Sequence, residues 1–176
     1  TPVFADHGGP WGGSVEAAGL PRHVLTPTMS AVRIARARAV DANPSTGDLF
    51  DSAEVWARVG AERALLDALQ PAAVVTGFSL GFSLSARVCG VPLVAVRPAC
   101  GTRWPYRAGL ARWADARDTW WWRAVPPRVR DALRNRTTVR QRRFVGPFAA
   151  VARALGLPEP RTTWDLFEGD VTLIAD

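Results

Sequence analysis

The stretch QPAAVVTGFSLGFSLSARVCGVPLVAVRP, residues 70–98, holds two uninterrupted apolar runs on either side of an amphipathic segment. AAVVTG and PLVAVRP are too short for helices and lack polar alternation, as expected of parallel strands covered on both faces. Between them Leu80, Leu84 and Val88 recur every fourth residue, and Gly90 stands where a helix C-terminal glycine belongs. Strand, helix and strand joined by short connections imply a right-handed crossover in one parallel sheet.

The flanking sequence extends this pattern. TPVFAD reads as the end of a strand, and HGGPWGG, with four glycines and a proline, as a loop. SVEAAGLPRHVLTP gives a short helix stopped by Gly19, then a strand around His23 to Thr26. After a loop-like stretch over 41–50, Asp51 is a plausible N-cap with Glu54 three positions on. Val55, Val59, Leu66 and Leu69 share a helical face until Pro71. A long helix or a pair of helices is predicted from Pro127 to Gly156, followed by a GLPEP break, a short helix at TTWDLF and a last strand, VTLIAD. The predicted fold class is α/β: a doubly wound, Rossmann-like parallel sheet with helices on both faces, taking ligands at the carboxyl ends of its strands.

At 176 residues, 48% of them hydrophobic, the chain suits one globular domain rather than a disordered segment, and no apolar run reaches the length of a membrane span. Its formal charge is +6, yet every basic residue is Arg, a bias of coding composition that weakens the charge as evidence for an anionic partner. Cys89 and Cys100 match neither a disulfide framework nor a zinc spacing, so reduced structural thiols in a cytoplasmic protein, without a metal, are expected. The stretch RVRDALRNRTTVRQRR, residues 128–143, lacks interleaved aromatics and fits a solvated helix face better than a nucleic-acid patch.

LLDALQPAAVVTGFSLGFSLSARVCGVPLVAV, the earlier VEAAGLPRHVLTP and the closing ARALGLPEPRTTWDLFEGDVTLIAD together resemble the N-terminal, acceptor-binding half of GT-B glycosyltransferases of the macrolide and aromatic-polyketide type. The resemblance spans most of residues 14–176. It implies an enzyme of antibiotic or other natural-product biosynthesis. Such an enzyme moves a sugar, with inversion, from a nucleoside diphosphate sugar co-substrate to a hydroxyl of a lipophilic acceptor, with no further cofactor. It also implies that residues 1–176 form a single domain lacking the C-terminal donor-binding domain and the family's first, central strand, since TPVFAD aligns with the second. A homodimer or an activator protein is a partner the resemblance leaves open. The rival reading is a non-catalytic small-molecule-binding relative of the same fold.

Sugar transfer needs a base near neutral pH, and His7 and His23 are the only histidines. His23 falls inside an apolar strand; His7, at a strand end before glycines, is the catalytic candidate. Thr76 and Gly77 stand where many family members carry a carboxylate, which leaves the acid that orients the base unassigned. The acceptor-binding candidates are Phe78, Ser79 and Leu80, in the loop after the first apolar run, and Pro98, Trp104, Tyr106 and Trp113, after the second. Flat rings with few charges suit a polycyclic or macrolactone guest. Trp120, Trp121 and Trp122 are consecutive and cannot share one helical face.

Overall fold

A computed structural model describes residues 2–8, 12–42, 50–77, 79–112 and 120–175. The strands form two small parallel sheets. In the first, β1 (Phe4–Asp6) pairs with β2 (Arg22–Val24). In the second, β4 (Leu93–Arg97) lies between β3 (Val74–Thr76) and β5 (Val171–Ile174). The two apolar runs of the opening stretch are therefore adjacent strands of one sheet.

The helices that follow from local sequence are in place. In α3 (Ser52–Leu69) the Asp51 side chain caps the first turn by accepting from the Glu54 amide, as the spacing predicts. Gln70 ends it in the left-handed conformation. α4 (Phe82–Cys89) closes on Gly90 at φ 66°, the backbone setting that favours glycine there. The segment between Pro127 and Gly156 is a pair, α7 (Pro127–Val139) and α8 (Val145–Ala154), and α9 (Trp164–Phe167) precedes β5. Shorter helices are α1 (Gly12–Ala17), α5 (Trp104–Arg107) and α6 (Trp120–Arg123). α2 (Ala31–Ala42) has no counterpart among the sequence expectations.

Two apolar clusters hold the layers together. Val55 and Val59 of α3, Leu84 of α4, Phe148 and Val151 of α8 and Leu166 of α9 meet in one. The other joins Leu25 and Ala5 of the first sheet to Leu93 and Val74 of the second over Leu66, Phe82 and Ala86. Both sheets thus rest on one floor made by α3 and α4.

On the face away from this floor β4 is half-buried, whereas its neighbours are more open. Pairing places Val75 on the same face as Val94, Val96, Val171 and Leu173, opposite the helical floor. Val75 is 68% exposed, and Phe4, Val24, Val171 and Leu173 are exposed as well. Among the described residues the α3 and α4 floor covers one face of the strands, and the structure is α/β with two small parallel sheets. Leu69, expected on the apolar face of α3, is exposed at the last position of the helix, where it lines an open cavity with Leu65 and Leu66.

Candidate functional site

The loop after β1 is fixed before its histidine is reached. Arg22 donates to both oxygens of Asp6, at 2.8 and 3.1 Å, and the Gly8 amide donates to the same carboxylate at 2.6 Å. The Arg22 guanidinium holds the Asp6 carboxyl below its ordinary range. His7 is thereby turned inward, 7% exposed, with Nδ1 3.0 Å from the Pro27 carbonyl oxygen and Nε2 3.2 Å from Glu62 Oε1. A carbonyl oxygen only accepts, so the Nδ1 contact is made by the tautomer with its proton on Nδ1.

Glu62 comes from α3 and is fully buried. Burying a carboxylate is costly unless it is paired and hydrogen-bonded. His7 serves one oxygen, and Ser85 Oγ of α4 donates to the other at 2.7 Å. Gly81, at the start of α4, packs against the same carboxylate so closely that a Cβ there would collide with both oxygens.

Glu62 is not among the candidates drawn from the sequence. At the end of AAVVTG, where no carboxylate stands, Thr76 Oγ1 accepts from the Ser79 amide at 3.2 Å. A usable signal was present: Glu62 continues the stripe Val55, Val59, Leu66, all buried, so a charged residue sits on an apolar helix face.

A second group of side chains lies beyond the carboxyl end of β4. A 3-10 turn (Ala99–Gly101) leads into α5, which presents Trp104 and Tyr106. Tyr106 is anchored: its hydroxyl donates to the Cys100 carbonyl at 2.8 Å and its ring lies 5.2 Å from that of Trp164. Burial pushes its phenol above the ordinary value. Trp104 is 60% exposed and edges a hollow of about 310 Å³ with Thr102, Arg103, Glu168, Thr172 and Ile174. Tyr106 opens onto a different hollow, of about 210 Å³, with Cys100, Pro105, Ala111 and Arg112.

Arg103 ties this ledge to α9 through Asp165 at 2.6 Å and Glu168 at 3.5 Å. Burial pushes the Asp165 carboxyl up, but the amides of Thr162 and Arg161 and the Arg103 guanidinium outweigh it and hold the group below its ordinary value.

No family model, curated protein or solved structure matches the chain.

The candidates divide as follows. Pro98 is exposed at the end of β4, beside Trp104 and Tyr106 in sequence. Ser79 is half-buried in the loop after β3, whereas Leu80 packs into the core with Val59 and Phe148, its side chain spent on packing. Phe78 and Trp113 lie outside the described residues. His23 is exposed on β2. Trp122 is half-buried, with the Arg134 guanidinium 5.7 Å from its ring. Both cysteines are free. Among the described residues no His, Cys, Asp and Glu cluster is arranged to hold a metal, and no helix is long and apolar enough to cross a membrane.

Proposed function

We propose that the chain is the acceptor-binding half of a cytoplasmic glycosyltransferase that glycosylates lipophilic natural products, with a doubly wound GT-B domain as its framework. The observation that supports this reading is the aromatic ledge past β4. An exposed Trp104 stands next to a Tyr106 held in place by its own hydrogen bond, at the strand ends where α/β sheets take ligands. A ring fixed in advance loses little entropy when a flat guest stacks on it. The carboxylate that a catalytic imidazole requires also has a candidate in Glu62, 3.2 Å from His7. In this reading the acceptor oxygen attacks the anomeric carbon as the nucleoside diphosphate departs, and its proton passes to His7 Nε2 once that nitrogen turns from Glu62, Nδ1–H staying on the Pro27 carbonyl. The diphosphate is held by a second domain.

Titrating the chain's tryptophan fluorescence with an anthraquinone tests the reading. Saturable quenching is expected, weakened about tenfold in Trp104→Ala at unchanged thermal stability, since one stacked ring contributes on the order of 1 kcal/mol. Quenching unaltered by Trp104→Ala and by Tyr106→Phe removes the ledge as the acceptor site.

A second reading, a binding protein of the same fold that transfers nothing, is favoured by one feature. Both ring nitrogens of His7 already have partners, which is how an imidazole used as a buried fastener is held. Sugar transfer in the protein carrying both domains, abolished by His7→Gln with acceptor binding retained, excludes it.

A further inference from the structure

The hollow of about 310 Å³ beside Trp104 lies past the carboxyl end of β4, where Ile174 ends β5. Trp104 and Ile174 give it apolar surface, and both are more than half exposed. Its charged groups are Arg103 and Glu168.

The two carboxylates near Arg103 are in different states of use. Asp165 is fully engaged: Oδ1 accepts from Arg103 Nη2 at 2.6 Å, and Oδ2 accepts from the amides of Arg161 and Thr162, each at 2.8 Å. Glu168 Oε1 stands 3.5 Å from Arg103 Nε, and that nitrogen makes no hydrogen bond. Among the described residues no hydrogen bond reaches the Glu168 carboxylate. Its main chain is nonetheless fixed, the Glu168 amide donating to the Trp164 carbonyl at 2.9 Å. The guanidinium charge is matched by Asp165, which leaves Glu168 as one carboxylate in excess, with open lone pairs at the hollow.

Trp104 favours the same sign of guest. The faces of an indole ring are negative and attract a cation. An anion would meet both the ring and the carboxylate, and the arginine beside them is already bound to Asp165. A bare divalent cation wants several oxygen ligands, which one carboxylate and an indole do not supply. A cation clothed in carbon suits both kinds of surface.

We infer that this hollow binds a protonated tertiary amine, and that the amine is a substituent of the acceptor itself. The second half of the inference rests on the reading of the ledge as the acceptor site. The ring system of the guest lies on the ledge and the amine reaches into the hollow. Its N-alkyl carbons meet Trp104 and Ile174, and its single N–H donates to Glu168, a charge-assisted bond. One such polar contact in a mostly apolar site fixes the orientation of the guest and selects basic acceptors over neutral ones of the same shape.

Three anthraquinones that differ in one substituent, dimethylaminomethyl, isobutyl or carboxymethyl, test the inference by fluorescence titration of the full chain near neutral pH. The amine and the isobutyl compound have the same shape and differ in charge. The amine should bind about tenfold more tightly than the isobutyl compound, and the acid more weakly than either. Glu168→Gln keeps the length of the side chain and removes its charge, so it should abolish the advantage of the amine and leave the affinity for the isobutyl compound unchanged. The three-compound comparison uses the unaltered chain and decides the matter even where the variant loses stability. Equal binding of the amine and the isobutyl compound, tightest binding of the acid, or an amine preference that survives Glu168→Gln overturns the inference and leaves the acceptor reading standing. Quenching by none of the three overturns both.

Discussion

Glu62 Oε1 lies 3.2 Å from His7 Nε2, bridging 55 residues of sequence at the point where the carboxyl ends of β1 and β3 approach each other. The pair joins the first sheet to the α3 and α4 floor. Removing one partner strands the other in an apolar interior. Glu62→Ala should therefore cost about 3–5 kcal/mol in urea denaturation, in the range seen when one half of a buried pair is deleted. The double variant His7→Phe, Glu62→Leu should lose less than the sum of the two single changes, by about 1–3 kcal/mol. Additive losses would show that the two side chains are energetically independent.

Gly81 and Gly60 should respond oppositely to alanine. At Gly81 a methyl group meets the Glu62 carboxylate, which His7 and Ser85 hold from two directions and which has no open side to move into. Gly81→Ala should destabilise by about 1–3 kcal/mol. Gly60 lies within α3 with nothing near its missing side chain, so Gly60→Ala should stabilise by about 0.5–1 kcal/mol. Paired thermal melts read both signs.

Gly169 tests the junction of β4 and β5. An added Cβ there would collide with the Leu93 carbonyl oxygen and lie 3.0 Å from the Ala95 amide nitrogen, both fixed backbone atoms. Leu93 and Asp170 also exchange two 2.8 Å bonds at this point. Gly169→Ala should cost about 1–3 kcal/mol and speed exchange of the β5 amides.

Asp165 makes stability depend on acid. Its carboxyl is held below the ordinary aspartate value, so the unfolded chain takes up a proton before the folded one does. Its contribution is complete above the unfolded value of about 3.9 and is lost as the pH falls through the lower folded value. Asp165→Asn should cost about 1 kcal/mol near neutral pH, and its deficit relative to the parent should shrink in urea titrations run below that range. A deficit constant across the acid range would assign the effect to packing.

How much of this was legible in advance depended on distance along the chain. The cap at Asp51, the glycine stop at Gly90 and the β3, α4, β4 unit follow from residues within a turn or a short loop of one another, and all three are present. The aromatic ledge was legible for the same reason, since Trp104 and Tyr106 follow β4 directly. Glu62 was not legible as a partner of His7, because it reaches the imidazole from a helix 55 residues away in sequence.

The amino-acid order by itself determined most of the segments that become strands and helices, α2 excepted, because hydrophobic period and capping chemistry act over a few residues. Only the packed molecule decided that His7 pairs with Glu62, that Tyr106 leans on Trp164, and that β1 and β3 border a gap with Val75 exposed at its edge. The physical reason is that a side chain's pattern fixes the face it occupies, while what meets that face depends on how distant segments stack. An apolar run reads alike whether its neighbour is a strand, a helix or solvent.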